Sequence, residues 1–446
     1  MTVSDKKDTS KKDEKTSTSI DDLVGENTPA PKVKDSAPSV SAPALNDSPR
    51  SAPPRTGYMP RGRGFTGMVE GRRLPDADVP TEIVEGVLDV DINNHGILRP
   101  TFTPSLNDIY ISTSQIRRFN IRPGDLVSGP ARHPKESERF WGLLKVEKIN
   151  GVTIDKIGPR KQFMHLTPIY PRERLTLETD KEPLATRIID LVAPVGKGQR
   201  GLLVSPPKAG KTTILKQIAA GVSKNFPDVH IMAVLVGERP EEVTDISRSV
   251  KGDVVSSNFD EPPDMQTAAA EIALERAKRL VEEGKDVFIL LDSITRLARA
   301  YNLAIPTSGR TLSGGFDPAA LHPPKKFFGA ARCFEEGGSL TILGTALVET
   351  GSKMDELIYE EFKGTGNMEL HLTRALEQRR IFPAIDALKS GTRQEQLLFS
   401  KSDYEKIIVM RRMLDMLGKD ERTELLLERL RKTKSNKEFL STLKVG

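Results

Sequence analysis

One stretch, Ser205 to Thr212, limits the possible folds of this chain more than any other. It reads SPPKAGKT, follows the apolar run Gly201–Val204 and precedes the helix-like run Thr213–Ala220. A strand, a tight glycine turn and a helix in that order form a phosphate-binding loop, where the positive end of the helix dipole faces the phosphates. The stretch therefore predicts a nucleotide site within an α/β fold.

The residue types within this loop match that chemistry. Gly210 has no Cβ and lets the backbone approach a phosphate, Lys211 supplies a positive charge, and the Thr212 hydroxyl is of a type that ligates Mg²⁺. The common pattern opens with Gly where this chain has Ser205. The alternative interpretation is a basic surface turn, which the strand and helix on either side disfavour.

Two carboxylates stand at the ends of other apolar runs. Asp292 ends Val287–Leu291, and Glu238 follows Val234–Gly237. Parallel strands present their carboxyl ends at one sheet edge, where ligands bind, so Asp292 is predicted beside Mg²⁺ and Glu238 as the base that activates water. Asp292 could instead cap the helix that begins near Ile294.

Composition limits the remaining possibilities. The chain has 446 residues, a net charge of +5 and one cysteine, so an internal disulfide or a cysteine metal cluster is excluded. No run of 18 apolar residues occurs, which argues against a membrane span. We expect a cytoplasmic protein with no membrane partner, and the mild basicity is compatible with a polyanion.

The order of sequence patterns predicts four regions. Residues 1–80 are rich in Lys, Ser and Pro, contain an Arg-Gly segment and are expected to be a disordered tail. Short strand-like runs within 81–155 predict a small all-β barrel of the OB type. Residues 156–185 read as an extended connector, and 186–446 alternate strands and helices as in a RecA-like motor domain with a parallel sheet.

Aromatic and cationic side chains alternate within the barrel region. Tyr110, Phe140 and Trp141 are interleaved with cations that include Arg99 and Arg139, a pattern typical of single-strand binding by base stacking. The alternative is that Tyr110 and Phe140 belong to the core. Sequence physics also leaves four further features open, because ordinary surface positions would look the same: Arg380, Arg393 and the loops Thr307–Gly315 and Glu349–Lys353.

Several long motifs together resemble the bacterial transcription termination factor Rho family from about residue 81 to the end. They include DIYISTSQIRRFNIRPGD, GQRGLLVSPPKAGKT, GERPEEVTD, LLDSITRLARAYN and ETGSKMDELIYEEFKGTGNMELHL. The resemblance implies a homohexameric ring with an OB-fold primary RNA site and an RNA-dependent ATPase. Such a ring is a 5′-3′ RNA translocase and helicase that uses ATP and Mg²⁺. It binds nascent single-stranded RNA and terminates transcription by dissociating RNA polymerase.

The resemblance also implies residue roles. Glu238 would be the catalytic base, Arg393 an arginine finger acting on the neighbouring subunit, and Arg380 would lie beside it. Thr212 and Asp292 would hold Mg²⁺. Phe382 would pack on the adenine, and the other nucleotide contacts would be Pro207, Lys208, Ala209, Gly210, Lys211, Thr212, Thr213 and Arg239. RNA contacts would be Arg99, Tyr110, Glu138, Arg139 and Phe140 in the barrel and Arg310, Thr311, Ser313, Gly351, Ser352 and Lys353 in the channel.

The chain departs from the family pattern at two sites. Where the family often has Gly-Phe-Gly-Phe-Leu-Arg before the residue matching Arg99, this chain has His95 and Ile97 in place of the two rings. Gly237 replaces a common Asp. Two other interpretations are a rotary ATP synthase catalytic subunit, which shares the motor fold, and an RNA-binding protein with a degenerate nucleotide site.

Overall fold

Strand pairing closes the first domain into a barrel. The structure is a computed structural model that describes residues 80–90, 95–136, 138–418 and 421–443, so the predicted tail, with its Arg-Gly segment, lies outside the described residues. The strands pair in the order β1-β2-β3-β5-β4, and β4 pairs back onto β1. This five-stranded closure confirms the predicted OB-type barrel. Its strands are β1 (Thr81–Val90), β2 (Gly96–Arg99), β3 (Ile109–Ile111), β4 (Leu126–Arg132) and β5 (Trp141–Leu143), followed by the hairpin β6 (Lys148–Ile149) and β7 (Val152–Thr153).

The expected short helix and one strand of the barrel can be compared directly with the structure. Helix α1 (Thr113–Arg118) begins at Ser112, which forms a capping box with Gln115. The strand expected over residues 140–146 is regular only in β5. Beyond it, the Leu144 N–H donates to the Pro130 carbonyl at 2.9 Å, outside the strand ladder.

The second domain contains a mostly parallel sheet with the order β11-β10-β12-β14-β9-β15-β16. Strands β9 to β12, β14 and β15 pair in parallel because helical crossovers connect them, which confirms the predicted motor fold. Two short strands, β8 and β13, extend the sheet from β14 by antiparallel pairing. The strands are β8 (Pro168–Ile169), β9 (Arg200–Ser205), β10 (His230–Glu238), β11 (Asp253–Asn258), β12 (Asp286–Asp292), β13 (Arg332–Phe334), β14 (Ser339–Leu347), β15 (Met368–His371) and β16 (Gly391–Thr392).

Helices cover both faces of this sheet, and each face has its own apolar core. One core joins α2, α3 and the C-terminal helices, and the other joins α5 to α8. The helices are α2 (Leu184–Val192), α3 (Lys211–Asn225), α4 (Pro240–Ser249), α5 (Pro263–Glu282), α6 (Ile294–Ala304), α7 (His322–Gly329), α8 (Lys353–Lys363), α9 (Arg374–Gln378), α10 (Lys401–Asp415), α11 (Arg422–Arg431) and α12 (Asn436–Ser441). Short 3-10 helices span Ile154–Lys156, Phe163–His165, Ser313–Gly315, Pro318–Leu321 and Glu395–Leu397.

The segment expected to be an extended connector contributes to the motor core. Leu175 and Leu177 are buried in the same cluster as α2. The Asp190 carboxylate on α2 accepts hydrogen bonds from the backbone N–H groups of Leu177 and Glu178 at 2.8–3.0 Å. Full burial raises the pKa of Asp190 to about 7, against these stabilising bonds.

The barrel docks directly on α5. Gly124 has φ +84°, and a Cβ at this position would come within 2.3 Å of the Glu275 backbone. Arg276 donates to the Asn150 side chain at 2.7 Å, and Arg122 forms an ion pair with Glu282 at 2.7 Å. Backbone contact and partly buried charges therefore fix the barrel to this helix.

Candidate nucleotide site and RNA-binding surface

The predicted nucleotide residues meet at the carboxyl edge of the motor sheet. The phosphate loop follows β9, Glu238 ends β10 and Asp292 ends β12, and these strands run parallel within one sheet. Ser293, and not Asp292, caps α6 through the Arg296 N–H. The capping alternative for Asp292 is therefore wrong, and its carboxylate faces the site.

Lys211 bridges the two carboxylates. Its Nζ donates to Glu238 Oε1 at 2.9 Å and to Asp292 Oδ1 at 2.7 Å. Burial disfavours the charged ammonium, but the Asp292 and Glu238 carboxylates outweigh burial and raise the pKa of Lys211 above its ordinary value. Lys211 is therefore a fixed positive charge in this structure.

The two carboxylates have different surroundings. Burial, and then the nearby Asp292 charge, raise the pKa of Glu238 despite the opposing effect of Lys211. Asp292 also accepts a hydrogen bond from the Thr345 hydroxyl at 2.6 Å. One oxygen of each, Glu238 Oε2 and Asp292 Oδ2, is buried and accepts no hydrogen bond from a described residue. Two acceptors therefore remain for a ligand at this edge.

The loop itself adopts the conformation that its sequence requires. Gly210 has φ +92° immediately before α3, and Lys208 has φ +69°. The Thr212 hydroxyl donates weakly to Glu242 at 3.3 Å, and Arg239 lies exposed at the start of α4. The start of α3 therefore presents free backbone N–H groups and a hydroxyl to the same space.

Beside the loop is a cavity of about 490 Å³, large enough for a nucleotide base. The Phe382 ring, 45% exposed, lies over Gly210, where an added Cβ would come within 3.9 Å of the ring. The ring and the loop thus form two walls. The lining residues are Glu182, Pro183, Leu184, Ala185, Lys208, Ala209, Gly210, Thr213, Ile214, Gln217, Phe382, Pro383 and Arg431.

The two late arginines lie in different places. Arg380 is next to Phe382 and its side chain is 81% exposed. Arg393 is exposed and follows β16. Its backbone N–H donates to the Asn367 carbonyl, and the Asn367 N–H donates to the carbonyl of Arg200 at the start of β9. Arg393 is therefore at the amino edge of the sheet, about 16 Å along β9 from its own phosphate loop.

Sequence reasoning missed residues of α6 that join two parts of the motor. Arg296 lies 3.5 Å from Glu238 and donates to the Gly237 carbonyl. One turn further on, Arg299 makes two bonds to Asp355 at 2.6 and 2.9 Å. Arg296 and Arg299 are three residues apart in the helix that follows the Asp292 strand. Residues at this spacing share a helix face, so the sequence could have identified both arginines.

The two predicted RNA loops contact each other. Residues 306–315 are largely exposed, and Gly314 lies against the backbone of Lys353 and Met354, leaving no room for a Cβ. The Thr350 hydroxyl bonds the same Asp355 at 2.7 Å. The two loops therefore form one surface, which is linked to α6. The first loop carries Arg310, Thr311 and Ser313, and the second carries Gly351, Ser352 and Lys353.

In the barrel, one cross-strand row contains Ile97, Tyr110, Gly142 and Arg132 on β2, β3, β5 and β4. Paired residues share a face of the sheet, and Tyr110 is 41% exposed on it. Tyr110 is thus a surface ring and not a core residue. Trp141 packs against the barrel core and the His133 ring, with centroids 4.0 Å apart.

The charged residues predicted to contact RNA are partly engaged within the barrel. Arg99 pairs with Asp89 and Asp108 at 2.7 Å each, leaving its side chain 13% exposed. Glu138 receives two bonds from Arg132, which lower its pKa to about 2. The Arg139 guanidinium lies 5.3 Å from the Phe140 ring centroid. Arg99 is therefore poorly placed to neutralise a phosphate, whereas Phe140 and Arg139 remain a partly exposed pair.

Comparisons with known proteins agree with this architecture. Residues 84–155 match the family model "Rho termination factor, RNA-binding domain", and residues 185–392 match "ATP synthase alpha/beta family, nucleotide-binding domain". Transcription termination factor Rho of Bacillus subtilis is 59% identical over 362 residues, covering 81% of this chain and 84% of that protein. The Thermotoga maritima Rho is 56% identical over 362 residues, covering 80% and 85%.

A solved ATPase from the type III secretion system of pathogenic bacteria shares the motor fold. Its TM-score is 0.51 at 22% identity, covering 62% of this chain and 85% of that chain. Fold and site together define an RNA-binding P-loop ATPase with a RecA-like motor. More particularly, the chain belongs to the transcription termination factor Rho family. The function expected from the sequence, an RNA-dependent ATPase that terminates transcription, is the one this membership supports, and the rotary-subunit interpretation is not supported.

Proposed function

We propose that the protein acts as a homohexameric RNA translocase that draws in nascent single-stranded RNA and dissociates RNA polymerase in the cytoplasm. One observation carries the proposal. A single chain contains both a barrel with an exposed aromatic ring, Tyr110, and a motor edge where Lys211, Glu238 and Asp292 meet beside the phosphate loop. In the described residues, no helix is long and apolar enough to cross a bilayer.

In this proposal Glu238 is the general base of hydrolysis. A raised pKa brings a carboxylate closer to the pH at which it works. Its buried Oε2 accepts no hydrogen bond from a described residue and has only the Arg296 guanidinium, 3.5 Å away, beside it, so it can accept a proton from water. Lys211 releases its two carboxylates to contact the phosphates when nucleotide enters. In this proposal the phosphates compete with the two carboxylates for the Lys211 ammonium.

The residues also fit a magnesium ion. No cluster of three or more metal-ligating side chains exists in the described part of the chain, but Mg²⁺ with nucleotide is usually held by one or two protein groups and the phosphates. The Thr212 hydroxyl and Asp292 Oδ2, which accepts no hydrogen bond from a described residue, would supply those groups. A bound ion would neutralise charge that develops on the phosphates.

The position of Arg393 supports the proposed ring. At the amino edge of β9 it cannot reach the phosphate loop of its own chain, yet it is exposed and free to contact another copy. An arginine supplied by a neighbouring subunit stabilises transition-state charge by about 10³–10⁵ in rate. We therefore assign Arg393 to the site of the next subunit.

RNA and hydrolysis are coupled through α6 in this scheme. RNA that contacts Lys353 acts on a loop held by Asp355, and Arg299 connects Asp355 to the helix that carries Arg296 beside Glu238. In this proposal a shift of the Lys353 loop is transmitted by helix α6 and changes the surroundings of Glu238.

The test is ATP hydrolysis by the full chain with and without pyrimidine-rich RNA at a fixed salt concentration. We expect hydrolysis to depend on RNA, to disappear in Lys211→Ala, and to disappear in Arg393→Ala. Mixing the two inactive variants should restore part of the activity, because a ring can then join an intact loop to an intact arginine. Hydrolysis indifferent to RNA, or no recovery on mixing, would contradict the proposal.

A further inference from the structure

Another cavity, of about 440 Å³, lies in the seam between the barrel and the motor and is called the seam cavity below. Its lining comes from Arg122 and the β6–β7 hairpin of the barrel, from residues 156–161, and from the end of α5 with the residues at 283–284 and 336–337. It shares no lining residue with the cavity beside the phosphate loop. Its size is within the range of small-molecule sites, and a ligand inside it would contact both domains.

The lining of the seam cavity has more cations than carboxylates. The carboxylates are already engaged by the protein. Glu282 accepts from the Phe163 N–H at 2.8 Å, Glu336 accepts from the Thr167 N–H and hydroxyl, and Glu283 pairs with a lysine outside the cavity. The cations are Arg122, Lys156, Arg160, Lys161 and Arg279, and the carboxylates are Glu282, Glu283 and Glu336.

Two largely buried arginines of the lining share one carboxylate. Arg122 Nη2 lies 2.7 Å from Glu282 Oε2, and Arg279 Nη2 lies 3.0 Å from Glu282 Oε1, with the two arginine side chains 19% and 8% exposed. The next carboxylate, Glu275, is 3.7 Å from Arg279 and bonds Lys278 at 2.6 Å. The Nε groups of Arg122 and Arg279 are buried and donate to no acceptor within the described residues. Both guanidinium groups are therefore short of acceptors.

The shared carboxylate leaves this pair of arginines with excess positive charge. Burial, and next the positive charge of Arg279, lower the pKa of Arg122. An arginine nevertheless stays protonated at neutral pH, so the excess charge persists. Lys156 and Lys161 add to it, because both side chains are exposed and neither forms an ion pair within the described part of the chain.

We propose that the seam cavity binds a phosphate-bearing anion with two or more negative charges, held by Arg122 from the barrel and by Lys156 and Lys161 from the segment that follows it. Arg160 contributes less charge, because it forms an ion pair with the buried Asp125. A carboxylate has two oxygens in one plane, whereas an oligophosphate presents oxygens in several directions and meets cations on separate walls. Free oligophosphates such as pyrophosphate and consecutive phosphates of an RNA backbone share this chemistry.

The first experiment measures pyrophosphate binding to the full chain by calorimetry without Mg²⁺. All variants carry Lys211→Ala, so that the phosphate loop competes least and any residual binding there is common to all. The double change Lys156→Ala and Lys161→Ala should weaken pyrophosphate about tenfold, because two charge-assisted contacts are lost. Both lysines are exposed and outside the described ion pairs, so the fold should be kept.

A second variant should change the affinity in the opposite direction. Hydrogen bonds from its own backbone and from Thr167, and to a smaller extent the positive charge of Lys161, lower the pKa of Glu336. Glu336→Gln can keep the bonds from Thr167 through its carbonyl but removes a negative charge from the cavity wall. Pyrophosphate should therefore bind about threefold more tightly.

The matched control removes two lysines elsewhere. Lys434 and Lys437 are exposed and do not line the seam cavity, so changing both to Ala lowers the net charge equally. Pyrophosphate affinity should stay unchanged. Equal affinities in the seam double variant, in Glu336→Gln and in this control would overturn the inference.

The second experiment separates the two sources of phosphate by fluorescence anisotropy of a labelled pyrimidine-rich RNA at several salt concentrations. If RNA occupies the seam cavity, the double change at Lys156 and Lys161 weakens RNA binding and reduces its salt dependence, and pyrophosphate displaces RNA. If a free oligophosphate is the ligand, RNA affinity stays unchanged while pyrophosphate affinity falls. Either result supports the site, provided that pyrophosphate binding responds as described.

Discussion

The carboxyl edge of the motor sheet and the outer face of the barrel are both proposed to bind phosphorylated ligands, but they are built differently. At the motor edge, Lys211, Glu238 and Asp292 have side chains 14%, 1% and 0% exposed and bind one another. On the barrel, Tyr110 is 41% exposed and Glu138 has a side chain 37% exposed. Charges removed from water must be paired in a defined geometry, whereas exposed groups adjust to what they bind.

This difference separates the two kinds of function. Two buried carboxylates that share one ammonium are held in a single geometry. Changing one atom there should therefore stop ATP hydrolysis. A surface of stacking rings and exposed cations distributes binding over many contacts, so a single change should reduce affinity without abolishing it.

The largest expected effect is at the motor edge. Glu238→Gln keeps the size of the side chain and an acceptor for Lys211 but removes the proton acceptor, so kcat should fall by about 10²–10⁴. Nucleotide binding should persist, measured by calorimetry. Glu241→Gln, at an exposed first-turn carboxylate of α4, is the control and should retain activity. More than a tenth of normal kcat in Glu238→Gln would contradict the role of a buried base.

Coupling between the regions predicts a smaller effect. Arg299→Ala leaves Asp355 buried without its cation, which should loosen the Thr350–Lys353 loop and reduce RNA stimulation about tenfold. Hydrolysis without RNA should change little. The measurement is the ratio of rates with and without RNA, with Lys224→Ala at an exposed pair as the control. An unchanged ratio would show that α6 does not transmit the RNA signal.

On the barrel, Tyr110→Ala should weaken RNA binding about tenfold, since a stacked ring contributes about 1–3 kcal/mol per base. Hydrolysis at saturating RNA should return to normal, because Tyr110 belongs to the barrel and not to the motor sheet. Fluorescence anisotropy of a labelled pyrimidine-rich RNA measures the affinity. Ile83→Ala, an exposed apolar residue of β1, serves as the matched surface change. Equal affinities for both variants would remove Tyr110 from the RNA surface.

The smallest effect is one of stability and pH. Because burial raises the pKa of Asp190 to about 7, the folded protein favours the protonated carboxyl, and this contribution to stability is lost as pH rises from about 4 through 7. Asp190→Asn cannot ionise, so its free energy of unfolding should gain about 3 kcal/mol relative to the unaltered chain between pH 5 and pH 8. Asp180→Asn, at an exposed pair, should show no such trend in thermal unfolding.

Much of the motor could be predicted from local sequence. Local sequence locates three elements to within a few residues: the phosphate loop, the strand that ends in Asp292 and the strand that ends in Glu238. Parallel pairing then brings the ends of these strands together at one sheet edge. The barrel could be predicted from turn spacing, but its fifth strand could not be bounded, since β5 leaves the ladder after Leu143.

Other features depend on contacts between distant residues. Thr345 on β14 donates to Asp292 on the neighbouring strand β12, 53 positions away in the sequence. Arg187 bonds Thr433, 246 positions away, so neither contact has a local sequence signal. Leu175 and Leu177 stand among prolines and charges without periodicity, which is why their segment read as an extended connector. The RNA contacts of exposed residues such as Arg310 and Lys353 remain predictions, because surface loops without such a function have a similar composition.

The close contact at Gly124 has a mechanical consequence. With backbone against backbone and no space for even a methyl group, the barrel cannot pivot on α5 without breaking the Arg276 bond to Asn150. In the proposed function, RNA bound by the barrel would be held in the same frame as the nucleotide site. In the proposed translocation, the barrel and the motor would therefore move as one body, and not about a hinge at α5.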